Sequence, residues 1–140
     1  MERWEGWRMS ETWARVYDSP HSVDETVERV TEALKKRQFG VLWQMDVPET
    51  LSAKGMPFST PYRILEVCNP KAANEVLSQN LQVGYFLPCK VVLYQDGERT
   101  KVAFPRPTSL IGWIGDPALD PAAARVEDAL ESAIAEAVKS

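Results

Sequence analysis

The spacing of apolar residues changes period several times along the chain, and each change predicts an element. Trp13, Val16 and Tyr17 within Thr12–Asp18 predict a first strand, which Ser19-Pro20-His21 breaks. Val23, Val27, Val30 and Leu34 then recur at three and four residues, predicting a helix over 23–37. Its start is the capping box Ser22–Glu25, in which hydroxyl and carboxylate satisfy the first free amides, and its expected stop is Gly40. Val41, Trp43 and Met45 alternate with Leu42, Gln44 and Asp46, the pattern of a second strand, and Pro48–Lys54 suits one or two helical turns closed by Gly55. Tyr62–Cys68 predicts a third strand, after which Asn69 as cap and Pro70 at the first helical position open a helix to about Ser78. A fourth strand from Leu87 or Cys89 to Gln95 and a fifth from Glu98 to Phe104 flank Asp96-Gly97, the strongest hairpin signal in the chain. Pro105 and Pro107 end the last strand. Leu110, Ile111, Trp113 and Ile114 then suit a short helical turn packed under a loop, or a lid over a small pocket. Asp120-Pro121 opens a final helix to about 138 with Val126, Leu130, Ala133 and Ala137 on one face.

A hairpin loop of Asp96-Gly97 pairs Gln95 with Glu98, hence Leu93 with Thr100, Val91 with Val102 and Cys89 with Phe104 on the core side. The opposite side then pairs Tyr94 with Arg99, Val92 with Lys101 and Lys90 with Ala103. This mixed basic and apolar face suits solvent, a subunit interface or a seat for an anion. These elements predict an α+β fold: an antiparallel-rich five-stranded sheet in the order β-α-β-β-α-β-β-α, with helices 23–37 and 121–138 packed on one face. Residues 1–11, carrying Trp4 and Trp7 among charged neighbours, read as a separate arm before an α+β domain over 12–140.

Composition narrows the function classes. A formal charge of −4 gives no electrostatic reason to expect nucleic acid, which calls for a clustered basic surface. No window approaches the roughly 18 apolar residues of a membrane span, and the first residues lack the apolar run of an export signal, so the expected place is the cytoplasm. The chain has no GxGxxG, P-loop or GxSxG motif, and its single histidine makes a Ser-His-Asp or Cys-His relay hard to build. Two cysteines and one histidine fall short of a four-ligand zinc site, so no metal is expected.

The two cysteines are the main chemical candidates. Cys68 ends the third strand just before a helix start, where the amide dipoles favour a thiolate, and Cys89 opens the fourth strand. If those strands are antiparallel neighbours, the two thiols lie at one end of the sheet. They read either as small core residues or as an attacking and resolving pair or two soft-metal ligands. Glu66, on the strand face of Cys68, is a candidate base or a solvated carboxylate.

YRILEVCNPKAANEVL, GYFLPCKVVLYQDG and LIGWIGDPALDPAAARVEDAL, with CNP and LPCK about twenty residues apart, resemble in order the motifs of the domain-of-unknown-function family number 302 over about residues 16–138. The resemblance implies a small homodimeric α+β protein with helices on an antiparallel sheet, and it implies no catalytic residues.

The functional expectation is a dimeric binding or accessory module for a small ligand or partner protein. Lys90, Tyr94, Arg99, Lys101 and Trp113 are the candidate ligand contacts, and the cofactor is unknown. The alternative is a thiol enzyme or soft-metal or sulfur carrier using Cys68 and Cys89.

Overall fold

The computed structural model describes residues 13–140; the Trp4/Trp7 arm lies outside the described residues. Strands β1 (Ala14–Ser19), β2 (Gly40–Asp46), β3 (Tyr62–Cys68), β4 (Cys89–Asp96) and β5 (Arg99–Pro105) form one sheet in the order β1-β5-β4-β3-β2. All four pairings are antiparallel, as the hairpin-like series predicts. The helices are α1 (Val23–Lys35), α2 (Val47–Ser52), α3 (Pro70–Gln79), α4 (Pro107–Gly112) and α5 (Asp120–Ala137), with 3-10 turns at Leu81–Phe86 and Pro117–Leu119. The three expected helices are α1, α3 and α5, and the short helical turns expected near 48–54 and 110–114 form as α2 and α4. The additional short elements, α2 and α4, each place a proline near their start, and Leu81–Phe86 continues directly from the Asn80 cap.

One sheet face carries α1 and α5, as expected. Val30, Leu34, Leu65, Val91, Leu93, Val102, Leu130 and Ile134 are fully buried between these layers. Each such side chain contributes about 1.5–3 kcal/mol by leaving water. A smaller apolar cluster of Val76, Val83, Ile111, Leu119, Ala122 and Ala123 joins α3, α4, the 3-10 turns and the start of α5.

Three local expectations are corrected. The hairpin pairs Asp96 with Arg99 and Leu93 with Val102, so its loop is Gly97-Glu98. Gly97 alone has positive φ (63°), the geometry of a turn with glycine at the first central position. The shift of two residues preserves which side chains face the core but replaces every predicted partner. Tyr94 lies opposite Lys101, not Arg99, and Val92 opposite Ala103, not Lys101; the expected Cys89–Phe104 pair does not form in this ladder, and Cys89 instead pairs on its other side with Val67 of β3.

Gly40 does not stop α1. Gln38 does, at φ 63°, and the Phe39 and Gln38 amides donate to the Leu34 and Lys35 carbonyls (3.0 and 3.1 Å). That is a Schellman motif with glutamine where glycine is usual, sealed by buried Phe39 against the core that holds Leu34.

In β2, a bulge between Val41 and Trp43 breaks the predicted alternation. Val41 packs on the core, whereas Trp43 and Met45, opposite Glu66 and Ile64, lie on the other face.

The chain end is clasped rather than loose. Arg29 donates to the Ala137 and Lys139 carbonyls (2.7 and 2.9 Å), and His21 Nε2 donates to the Lys139 carbonyl (2.8 Å).

Candidate functional site

At the sheet end where β4 and β1 begin and β3 and β5 finish, the sheet face away from α1 and α5 meets Leu81–Phe86 and α4. Between them lies a cavity of about 220 Å³ lined by Glu66, Tyr85, Phe86, Leu87, Pro88, Cys89, Lys90, Pro105, Pro107, Leu110 and Ile111. Its wall is built by sequence features that interrupt regular structure. The Leu87–Pro88 peptide is cis and leads directly into β4, and Pro105 and Pro107 end β5 and open α4.

The charged content of this cavity is one ion pair, beside the Tyr85 hydroxyl and the Cys89 thiol. Lys90 Nζ donates to Glu66 Oε2 across the β3–β4 register (2.9 Å). Both groups reach solvent, at 50% and 25% exposure, so the pair is worth less than about 1 kcal/mol and is easily exchanged for another partner.

A narrow void of about 30 Å³ adjoins this cavity. It shares Leu87, Pro88, Cys89, Pro107 and Ile111 with the larger one and adds Val67, Cys68, Asn69 and the inner side of α3. The antiparallel neighbours β3 and β4 thus bring Cys68 and Cys89 to one sheet end, as expected from adjacent antiparallel strands. Burial pushes the Cys89 thiol up to about 11, and the nearby Cys68 adds to the shift. Such a thiol is almost wholly neutral near pH 7 and is a poor nucleophile. Among the described residues no three His, Cys, Asp or Glu side chains converge as a metal site.

Of the other sequence candidates, Trp113 does not line the cavity but packs edge-on against Phe86 (centroids 6.2 Å apart), which does. Tyr94, Arg99 and Lys101 lie toward the opposite sheet end. Tyr94 stacks on Tyr62 at 5.3 Å. Lys101 and Arg99 donate to Asp18 (2.5 and 2.6 Å), and these bonds hold the Asp18 carboxyl below its ordinary value. The anticipated basic face is therefore neutralised by its own acids, Asp18 and Glu66.

Sequence reasoning missed the buried carboxylate that anchors one cavity wall. Glu127 on α5, 6% exposed, accepts from the Thr108 amide (3.0 Å), Thr108 Oγ1 (2.6 Å) and Arg106 Nε (3.0 Å). Burial pushes this acid up, but the Thr108 and Arg106 hydrogen bonds outweigh it and hold the carboxyl below its ordinary value. The carboxylate caps α4, which has no cap of its own because Arg106 occupies that position. The available signal was Glu127 itself, standing on the apolar stripe of Ala123, Leu130 and Ile134.

A two-layer α+β protein with an apolar cavity at one sheet end is the class these features define. The family model for the domain of unknown function DUF302 matches residues 15–137, and the chain belongs to that family. It is similar to the crystal structure of an uncharacterized conserved DUF302 protein from Bacillus stearothermophilus, at 48% identity and TM-score 0.85, covering 90% of this chain and 98% of that one. No curated protein matches the chain. No helix among the described residues is long and apolar enough to cross a membrane.

Proposed function

We propose that the protein is a homodimeric binding module for a small, flat, largely apolar molecule bearing one hydrogen-bonding group. The observation carrying this reading is the cavity of about 220 Å³, whose apolar wall is interrupted by the exchangeable Glu66–Lys90 pair. That volume is below the roughly 300–1,000 Å³ of drug-sized sites, which favours a ligand of one ring or two fused rings. Glu66 accepts a ligand N–H or O–H, and Lys90 is released to solvent or to a ligand oxygen. Indole serves as a probe because it combines a flat apolar body with one donor. Indole titrated into labelled protein should shift the amide signals of Lys90, Leu110 and Ile111 saturably, and Glu66→Gln should weaken the response. Shifts scattered over the surface without saturation would refute the reading.

Support for the dimer is the sheet face that bears neither α1 nor α5. There Val16, Ala103, Val92, Ile64 and Met45 form one half-buried apolar row across all five strands, bordered by ion pairs that are already neutral. Two unbridged thiols suit a reducing compartment such as the cytoplasm.

A second reading, a soft-metal or sulfur carrier, draws on the two thiols lining a single void. Intact-mass measurement of the protein as purified should then show a bound metal or a persulfide, and an unmodified apo mass would count against it.

A further inference from the structure

We propose that the cavity reads a neutral amide edge: its ligand is a lactam or cyclic imide of one ring or two fused rings, whose adjacent N–H and C=O engage Glu66 and Lys90 together. The inference rests on the binding-site reading above and adds the ligand's chemical class.

The wall leaves little else to recognise a polar ligand. Pro88, Pro105 and Pro107 have no amide hydrogen to offer. The Leu87 and Leu110 amides are already used within the chain, donating to the Gly84 and Arg106 carbonyls (3.3 and 3.1 Å). Tyr85 is 80% exposed, so water competes for its hydroxyl, and the neutral Cys89 thiol is a weak donor. Polar selection therefore falls to the Glu66 and Lys90 side chains.

Their geometry suits two groups at once. The β3–β4 register places Glu66 directly opposite Lys90, so the backbone sets an acceptor beside a donor, with Nζ and Oε2 2.9 Å apart. The ammonium carries two further hydrogens and the carboxylate further lone pairs. An amide edge in a ring holds its nitrogen and oxygen side by side, about 2.3 Å apart, a spacing close to that of the pair. Its N–H donates to Glu66 while its C=O accepts from Lys90. The ligand thus gains two charge-assisted bonds without breaking the ion pair, whereas an indole N–H gains only the first.

The pair is neutral as a whole, which also sets the ligand's charge. A carboxylate drawn to Lys90 stands against Glu66, and an ammonium drawn to Glu66 stands against Lys90. Either also gives up hydration to a wall that includes Leu87, Leu110 and Ile111. A neutral edge has neither cost.

The test is calorimetric titration of the full chain with oxindole, indole and 1-methyloxindole, which are similar in size. Oxindole offers both groups, indole only the donor and 1-methyloxindole only the acceptor. One charge-assisted hydrogen bond changes affinity by about tenfold, so oxindole should bind about tenfold more tightly than either of the others. In Lys90→Met the ratio of oxindole to indole affinity should fall to about one. Equal affinities of oxindole and indole for the wild type, or a ratio that survives in Lys90→Met, overturn the lactam inference and leave the binding site standing. Equal affinities of oxindole and 1-methyloxindole overturn it likewise, because the N–H is then not read. No saturable binding by any of the three overturns both.

Discussion

Thr108 donates twice to Glu127, from its backbone amide at 3.0 Å and its hydroxyl at 2.6 Å, and so fastens the first turn of α4 to the middle of α5. Because Arg106 adds a third donor at 3.0 Å, truncating Glu127→Ala strips α4 of its cap and leaves a guanidinium without this partner. Removing one partner of a fully buried pair costs roughly 3–5 kcal/mol; Arg106 still reaches solvent, so about 2–3 kcal/mol is expected here. The pH dependence has a definite sign. A carboxyl held below its ordinary value in the fold stabilises fully above its unfolded value of 4.5, and that stability is lost as pH falls through the folded value. Urea titrations at pH 7 and pH 3 should show the gap between wild type and Glu127→Gln narrowing at the lower pH. A constant gap would assign Glu127 a packing role only.

Gln38 ends α1 in a conformation that costs a non-glycine residue about 1 kcal/mol, with no compensating side-chain bond described for it. Gln38→Gly should therefore stabilise by about 0.5–1 kcal/mol, part of the gain being offset by the freer unfolded chain. The urea midpoint should rise with unchanged slope, while Gln38→Val should lower it.

These two sites also show what a sequence can and cannot disclose. The antiparallel sheet was legible because each strand is short, alternating and bounded by Gly, Pro or Asn, and the two long helices because their stripes are regular. Face assignment survived the wrong hairpin loop, since a shift of two residues keeps every side chain on its own side. Partner identity did not survive it. The α1 stop was missed because glycine was expected where the fold tolerates glutamine. Of the candidate site, Glu66, Lys90, Cys68 and Cys89 were visible as strand-end residues of chemical character. Tyr85, Phe86, Pro105 and Leu110 were not, because the cavity arises where a 3-10 turn and α4 close on the sheet, and no local period encodes that packing.

The apolar row on the open sheet face makes the dimer testable. Val92 and Ile64, directly opposed on β4 and β3 and half-buried, sit at its centre. Light scattering at tens of micromolar should return twice the 15.8 kDa chain mass, and Val92→Lys should return the monomer mass with unchanged circular dichroism. A wild-type monomer at that concentration would remove the dimer from the proposal.

The last prediction concerns the thiols. Cys89 faces the core beside Val67, and burial raises it from 9.0 to about 11, so its neutral form is favoured in the fold. In a Cys68→Ser variant, where Cys89 is the remaining thiol, iodoacetamide labelling should rise about tenfold per pH unit from pH 7 to pH 10, because the thiolate fraction rises by that factor. A thiol at its ordinary value would level off near pH 9. The same shift sets a stability limit: the contribution is fully present below about 9.0 and is lost as pH rises through about 11, the opposite sign to Glu127. Urea midpoints from pH 8 to pH 10 should therefore fall more steeply with Cys89 present than in Cys89→Ala. If labelling instead plateaus at or below pH 8, Cys89 is an activated thiol, and the carrier reading gains over the binding module.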